Sequence, residues 1–166
     1  MSIRQAMERL GADISADAAK ARSKPNPASA RLTEGLKCEV TGQHGQRFLT
    51  DMPPAMGGAA SAANPGWYLR GAIASCAATV IAMHAAKRGI KLDLLEVTVD
   101  TESDLRGILG LGGVAAGQKT VRTRVKIRGD ADSQTLRELV TFADGRSPVG
   151  CTLRDAPQFS LDIEVL

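Results

Sequence analysis

The sequence is poor in aromatic residues: one Trp, one Tyr and three Phe make up 3% of the chain. So few rings leave no platform on which the bases of a single-stranded nucleic acid could stack. Histidine is scarce as well, with only His44 and His84, and neither stands in a paired-histidine motif. An excess of one charge sign is also missing. The 21 Lys and Arg face 18 Asp and Glu for a net +3, too balanced for a dedicated binder of nucleic acid or of an anionic membrane. The three cysteines, Cys38, Cys76 and Cys151, cannot all pair, which argues against a secreted disulfide scaffold and for a reducing, cytoplasmic setting. The longest uncharged apolar run, Gly71 to Met83, has 13 residues, against the roughly 18–20 that a membrane span needs. Arg4, Glu8, Arg9 and Asp13 interrupt the segment where a signal peptide would be apolar.

What is present is a chain of 166 residues, 43% apolar, whose core must be built from Ala, Val, Ile and Leu. Ile3, Met7, Leu10 and Ile14 recur at helical spacing before the Pro25-Asn26-Pro27 breaker. Residues 1–27 therefore read as an appended helix and linker, and residues 28–166 as the main domain. Extended runs at 28–40 and 46–51 flank a turn at Thr41 to Gly45, and the Pro- and Gly-containing stretch 52–63 reads as a loop.

The most informative stretch is Asn64 to Gly89. Asn64 can cap a helix with Pro65 in its first turn, and Gly89 can close it after Lys87 and Arg88. Such a helix spans about 36 Å. Its middle, residues 72–82, carries no charge on any face, which places it at the centre of the protein or of an oligomer. Beyond it, Leu95, Val97 and Val99 alternate with polar residues, as do Val121, Val125 and Ile127, predicting two half-buried strands. A glycine-rich connection, 104–118, lies between them. Leu136, Leu139, Val140 and Ala143 predict an amphipathic helix begun by Asp132 or Ser133 and stopped near Gly145, and Leu161, Ile163 and Val165 predict a last strand.

Few residue patterns carry chemistry. The stripe Arg122, Arg124, Lys126 and Arg128 could hold phosphate, but Glu96, Asp100 and Glu102 on the neighbouring strand explain it as cross-strand ion pairing. Gly110 to Ala115 matches a dinucleotide fingerprint in its glycines, yet strand periodicity comes next where that fingerprint needs a helix. No cysteine or histidine spacing suits a metal, and no cofactor is implied. Cys76 and His84 are eight residues apart on one helix, about 12 Å, too far to share an ion or a proton. Cys76 is left as the candidate nucleophile, beside its plainer reading as a small apolar residue in an Ala-rich helix.

The run Asn64-Pro65-Gly66-Trp67-Tyr68-Leu69 followed by Ala74-Ser75-Cys76-Ala77-Ala78 resembles the central helix of the OsmC/Ohr family of osmotically inducible and organic-hydroperoxide-resistance proteins. Gly57-Gly58, Asp104-Leu105-Arg106-Gly107 with Leu109-Gly110, and Ser147-Pro148-Val149 with Leu153 agree in order. The likeness extends over about residues 30–166. It implies an α+β fold and an intertwined homodimer, two long central helices wrapped by curved antiparallel sheets from both chains. It also implies a thiol peroxidase in oxidative-stress defence. Cys76 takes the peroxidatic position, attacking an organic hydroperoxide, and a dithiol such as a lipoylated protein is the reductant. Two positions depart from the family: Gly66 stands where the peroxidases have a glutamate, and Ser147 where they have the second cysteine. Cys151 is then a candidate displaced resolving thiol, beside its plainer reading as an unrelated thiol on a strand, and Arg31 or Arg47 a candidate for the activating arginine. The alternative is a non-catalytic dimer binding an apolar small molecule in an inter-subunit pocket lined by Cys76, Gly66, Trp67 and the 104–118 loop.

Overall fold

Ser2 closes a capping box at the start of α1 (Ile3–Ala16): its hydroxyl accepts from the Gln5 amide, and the Gln5 side chain accepts from the Ser2 amide. In this computed structural model, which describes residues 1–23 and 26–166, Ile3 and Leu10 of the apolar stripe remain more than half exposed. A 3₁₀ turn, Ala18–Ala21, comes next. Pro25, the start of the expected breaker, lies outside the described residues.

Two compact units make up the chain, residues 1–72 and 73–166. In the first, β1 (Ala28–Glu34), β2 (Lys37–Gly42) and β3 (Arg47–Thr50) form an antiparallel sheet in that order. Cys38 lies opposite Leu32 on one side and Thr50 on the other. The loop after β3 is braced by Asp51, a buried carboxylate that accepts from the amides of Met52, Ala59 and Ser61 and from the Ser61 hydroxyl at 2.8–3.2 Å. These donors hold its carboxyl below the usual range. Gly58 is required beside it, since a Cβ there would overlap the Met52 carbonyl.

The unit boundary falls within α2 (Pro65–Arg88). Its start matches the expected cap, with the Trp67 amide on Asn64 Oδ1 at 2.9 Å. Gly89 ends it at φ +74°, in the left-handed region that a side chain avoids, and the Ile90 amide reaches back to the Ala85 carbonyl at 2.9 Å. The buried residues of α2 are Ile73, Ala77, Ile81 and Ala85, a stripe at i,i+4 spacing. By length and composition α2 could cross a bilayer, but this stripe makes it a core helix.

In the second unit β4 (Leu92–Glu102) pairs antiparallel with β5 (Thr120–Gly129), placing Leu95 opposite Ile127 and Val97 opposite Val125. These four pack on a core of Ile81, Ala85, Leu139 and Ala143, the last two from α4 (Ser133–Asp144). Asp132 caps α4 through the Gln134 and Thr135 amides, both at 2.9 Å. On the outer face Lys126 pairs with Glu96 and Arg124 with Asp100, so much of the cation stripe is satisfied within the sheet. Between the strands lies α3 (Leu105–Ile108), capped by Asp104. Arg106 at 2.7 Å and Lys119 at 3.0 Å hold the Asp104 carboxyl well below the usual carboxylate range. The glycines after α3 lead into β5 rather than into a helix, so no dinucleotide turn exists here.

Two expectations are corrected. Residues 156–166 form no strand, although Phe159, Leu161, Ile163 and Val165 are at least three-quarters exposed; an extended segment becomes a strand only where an edge pairs with it. Cys151 lies not on a strand but on the last helix, α5 (Pro148–Arg154), where Pro148 suits the first turn.

Leu139 is fully buried between α2 and the sheet. Leu139→Ala is expected to cost about 2–5 kcal/mol, read as a lowered urea midpoint with an unchanged slope.

Candidate functional site

Cys76 sits in the uncharged middle of α2, half-buried, one residue before Ala77 of the buried stripe. The side chain that meets it is Ser147, 71 residues further on and 1% exposed, whose Oγ lies 3.2 Å from Cys76 Sγ. Ser147 is held because it caps α5, its Oγ accepting from the Gly150 amide at 3.4 Å. A serine hydroxyl has one hydrogen and two lone pairs. With a lone pair on Gly150, the hydrogen is available to the sulfur.

Cys151 is one turn along α5 from Ser147, and its thiol donates to the Gly145 carbonyl at 3.4 Å. Arg154 lies against that thiol and forks onto Asp144 at 2.6 and 2.8 Å, pairings that raise the guanidinium's pKa further. All three cysteines are free. Arg31 and Arg47, on β1 and β3, both pair with Glu39 of β2, a contact that stems from the register placing Arg31 opposite Glu39. Gly66 lies in the first turn of α2, where a Cβ would stand 3.3 Å from Asn64 Oδ1 and 3.7 Å from Arg70 Nη1.

Within the first unit, Trp67 lies at the rim of an apolar pocket of about 760 Å³. Cys38, Val40, Phe48, Thr50 and Tyr68 also line it. The rings order one another: Tyr68 packs on Phe48 with centroids 4.3 Å apart, Trp67 meets Tyr68 edge-on at 5.2 Å, and the Tyr68 hydroxyl donates to the Leu49 carbonyl at 2.9 Å. Three of the five aromatic residues, too scarce for base stacking, are thus concentrated at one place.

A cluster that sequence reasoning missed surrounds Phe142. The Arg146 guanidinium lies 3.6 Å and that of Arg88 4.8 Å from the ring centroid, and His84 meets the ring edge-on at 4.9 Å. Arg146 also donates to the Phe142 carbonyl at 3.1 Å. Burial, followed by the charges of Lys87, Arg146 and Arg88, pushes the His84 imidazole below its ordinary value. The only sequence signal was the run of cations at and just past two helix ends.

The sequence model of the OsmC-like protein family matches residues 58–162. No curated protein matches the chain significantly. Among solved structures, the chain is similar to an OsmC-like protein from Mycoplasma pneumoniae, at 18% identity and a TM-score of 0.69, covering 81% of this chain and 91% of that one. An organic hydroperoxide resistance protein from Elizabethkingia anophelis with bound thiocyanate is 20% identical at a TM-score of 0.65, covering 81% and 91%. One from Bacillus subtilis is 20% identical at 0.54, covering 80% and 93%. At these identities the likeness establishes the fold.

With two histidines in the chain, ring-proton NMR resolves His84. It is expected to titrate below 6.5, and Arg146→Ala is expected to move its midpoint up. Because the folded midpoint is the lower one, the unfolded chain binds more protons, so His84 withdraws stability as pH falls through the unfolded value near 6.5.

Proposed function

We propose that this chain, which belongs to the OsmC-like protein family, is a thiol-dependent peroxidase that reduces organic hydroperoxides at Cys76. The observation that carries the reading is a half-buried cysteine thiol on the core helix with a buried hydroxyl 3.2 Å from its sulfur. In the reaction the sulfur attacks the terminal peroxide oxygen and the O–O bond breaks. The alcohol leaves with a proton, and Cys76 becomes a sulfenic acid, oxidised by two electrons. A thiol then condenses with the sulfenic acid to give a disulfide and water, and a second thiol releases Cys76. Ser147 cannot supply that thiol, and Cys151 directs its own to Gly145, which favours an external dithiol such as a lipoylated protein. Arg31 or Arg47 serves as the activating arginine in this reading, and residues 1–27 form an appendage to the domain.

The same reading makes the chain a cytoplasmic homodimer, consistent with its free cysteines. Support comes from the apolar surface a single chain leaves open: α2 buries one stripe only, and the alternating apolar residues near the C-terminus are unpaired and exposed. Patches of this kind mark association surfaces.

Intact-mass measurement after a few equivalents of cumene hydroperoxide is expected to add one oxygen at Cys76. Turnover with dihydrolipoamide is expected to disappear in Cys76→Ser. Slow, equal oxidation of all three cysteines would remove the peroxidase reading.

The pocket beside Trp67 favours a second reading, in which the dimer binds an apolar small molecule without turnover. Trp67 is the only tryptophan and lines that pocket. Titration with decanoate is expected to give a saturable change in its emission that persists in Cys76→Ala, whereas an unchanged spectrum would discard the pocket as a ligand site.

A further inference from the structure

The contact between Cys76 and Ser147 has a direction. Ser147 is 1% exposed, so its hydroxyl is shielded from bulk solvent and needs a partner for its hydrogen within the structure. The Gly150 amide occupies a lone pair, and Cys76 Sγ stands where the hydrogen can go. A cysteine that attacks peroxide does so as a thiolate, which has no hydrogen of its own. In that form the bridge can run only from the serine hydroxyl to the sulfur.

From this geometry we infer that Ser147 is a positioning residue: it donates a hydrogen bond to the Cys76 thiolate, stabilising and aiming the nucleophile, and leaves the resulting sulfenic acid for a thiol from outside the chain. The inference rests on the peroxidase reading of Cys76. It assigns the serine an activating role at a position that would otherwise carry the resolving sulfur. The anchor is rigid, because capping α5 fixes the Ser147 rotamer and the rotamer fixes the hydroxyl. A hydrogen bond to a charged acceptor is among the stronger kinds, so its loss has a measurable kinetic effect. Electrons balance with peroxide as the oxidant, Cys76 as the two-electron donor, and an external thiol as the reductant.

Three variants made in a Cys38→Ser, Cys151→Ser background, which leaves Cys76 as the one native thiol, test the inference. The readouts are the rate at which cumene hydroperoxide consumes the Cys76 thiol and the mass of the product. Ser147→Ala is expected to slow consumption by about tenfold or more. Ser147→Thr keeps the hydroxyl and the cap and is expected to stay within about threefold of the parent. Ser147→Cys is expected to change the product, from a dimedone-reactive sulfenic acid to loss of two hydrogens in an intramolecular disulfide with Cys76, which tests the contact itself, while the Ala and Thr variants test the hydroxyl. A Thr variant as slow as the Ala variant, or an Ala variant as fast as the parent, would overturn the role of the hydroxyl. If Cys76 of the parent resists hydroperoxide altogether, the peroxidase reading itself falls and the inferred role falls with it. Diamide oxidation of Ser147→Cys separates the two failures. A disulfide there means that positions 76 and 147 are in contact and the function is wrong, and no disulfide means that the contact is wrong.

Discussion

The structure depends on keeping the middle of α2 out of water. Residues 72–82 offer no charged side chain, and exposing such a cylinder would cost roughly 25 cal/mol for each Å² of apolar area left wet. Inside the second unit, one face is covered by α4 and the inner residues of β4 and β5, which meet at Ile81, Ala85, Leu139 and Ala143. The strands alternate because they have an outside as well, where Lys126 and Glu96 pair across the sheet. The rest of the apolar surface of α2 is the strongest physical argument for a second copy, since propensity alone does not sustain an uncharged helix in water.

A thiol placed in such a helix sits among apolar residues, and that gives weight to the polar contact it makes with Ser147. A second cysteine at position 147 could be buried at little cost and would be open to oxidation. A serine there is the reverse: its hydroxyl cannot be oxidised to a disulfide, and burying it requires hydrogen bonds. The structure meets this requirement with the Gly150 amide and the Cys76 sulfur. Cys151 offers no simple replacement. On a helix it is displaced from Ser147 by one turn, about 6 Å of rise, and its thiol is engaged with the Gly145 carbonyl.

Much of the fold was legible because local signals agreed. Asn64, Pro65, Lys87, Arg88 and Gly89 marked α2 from both ends, and the pair Asp132 and Ser133 marked the start of α4. The alternation of β4 and β5 gave the face as well as the strand. What escaped was non-local. Leu161, Ile163 and Val165 alternate as a strand should, but periodicity does not provide the edge a strand must pair with. The α5 helix begins at a serine followed by proline, a signal read only as a family motif. Cys76 and Ser147 are 71 residues apart, and only the family resemblance, which puts Ser147 at the position of the second cysteine, related the two segments. Asp51 stood at the end of the extended run 46–51 with nothing to single it out, and its four donors are visible only once the loop is folded around it.

The cations show how position decides what a charge does. On β5, Arg124 and Lys126 face carboxylates of β4 and are neutralised laterally. At the ends of α2 and α4, Lys87, Arg88 and Arg146 meet instead the carbonyl-rich helix termini, whose partial negative charge favours cations, and Arg146 bonds the Phe142 carbonyl directly. Phe142 offers its ring to two guanidiniums, and burial and the neighbouring cations push the pKa of His84, which meets the ring edge-on, below its ordinary value. A neutral imidazole is a competent base, but His84 is two helical turns from Cys76, about 12 Å along the axis, whereas proton transfer needs a contact near 3 Å or one bridging water. The imidazole is therefore out of reach of the sulfur, whereas the Ser147 hydroxyl is in contact with it. Under the peroxidase reading, the chemistry at the sulfur turns on a capping serine.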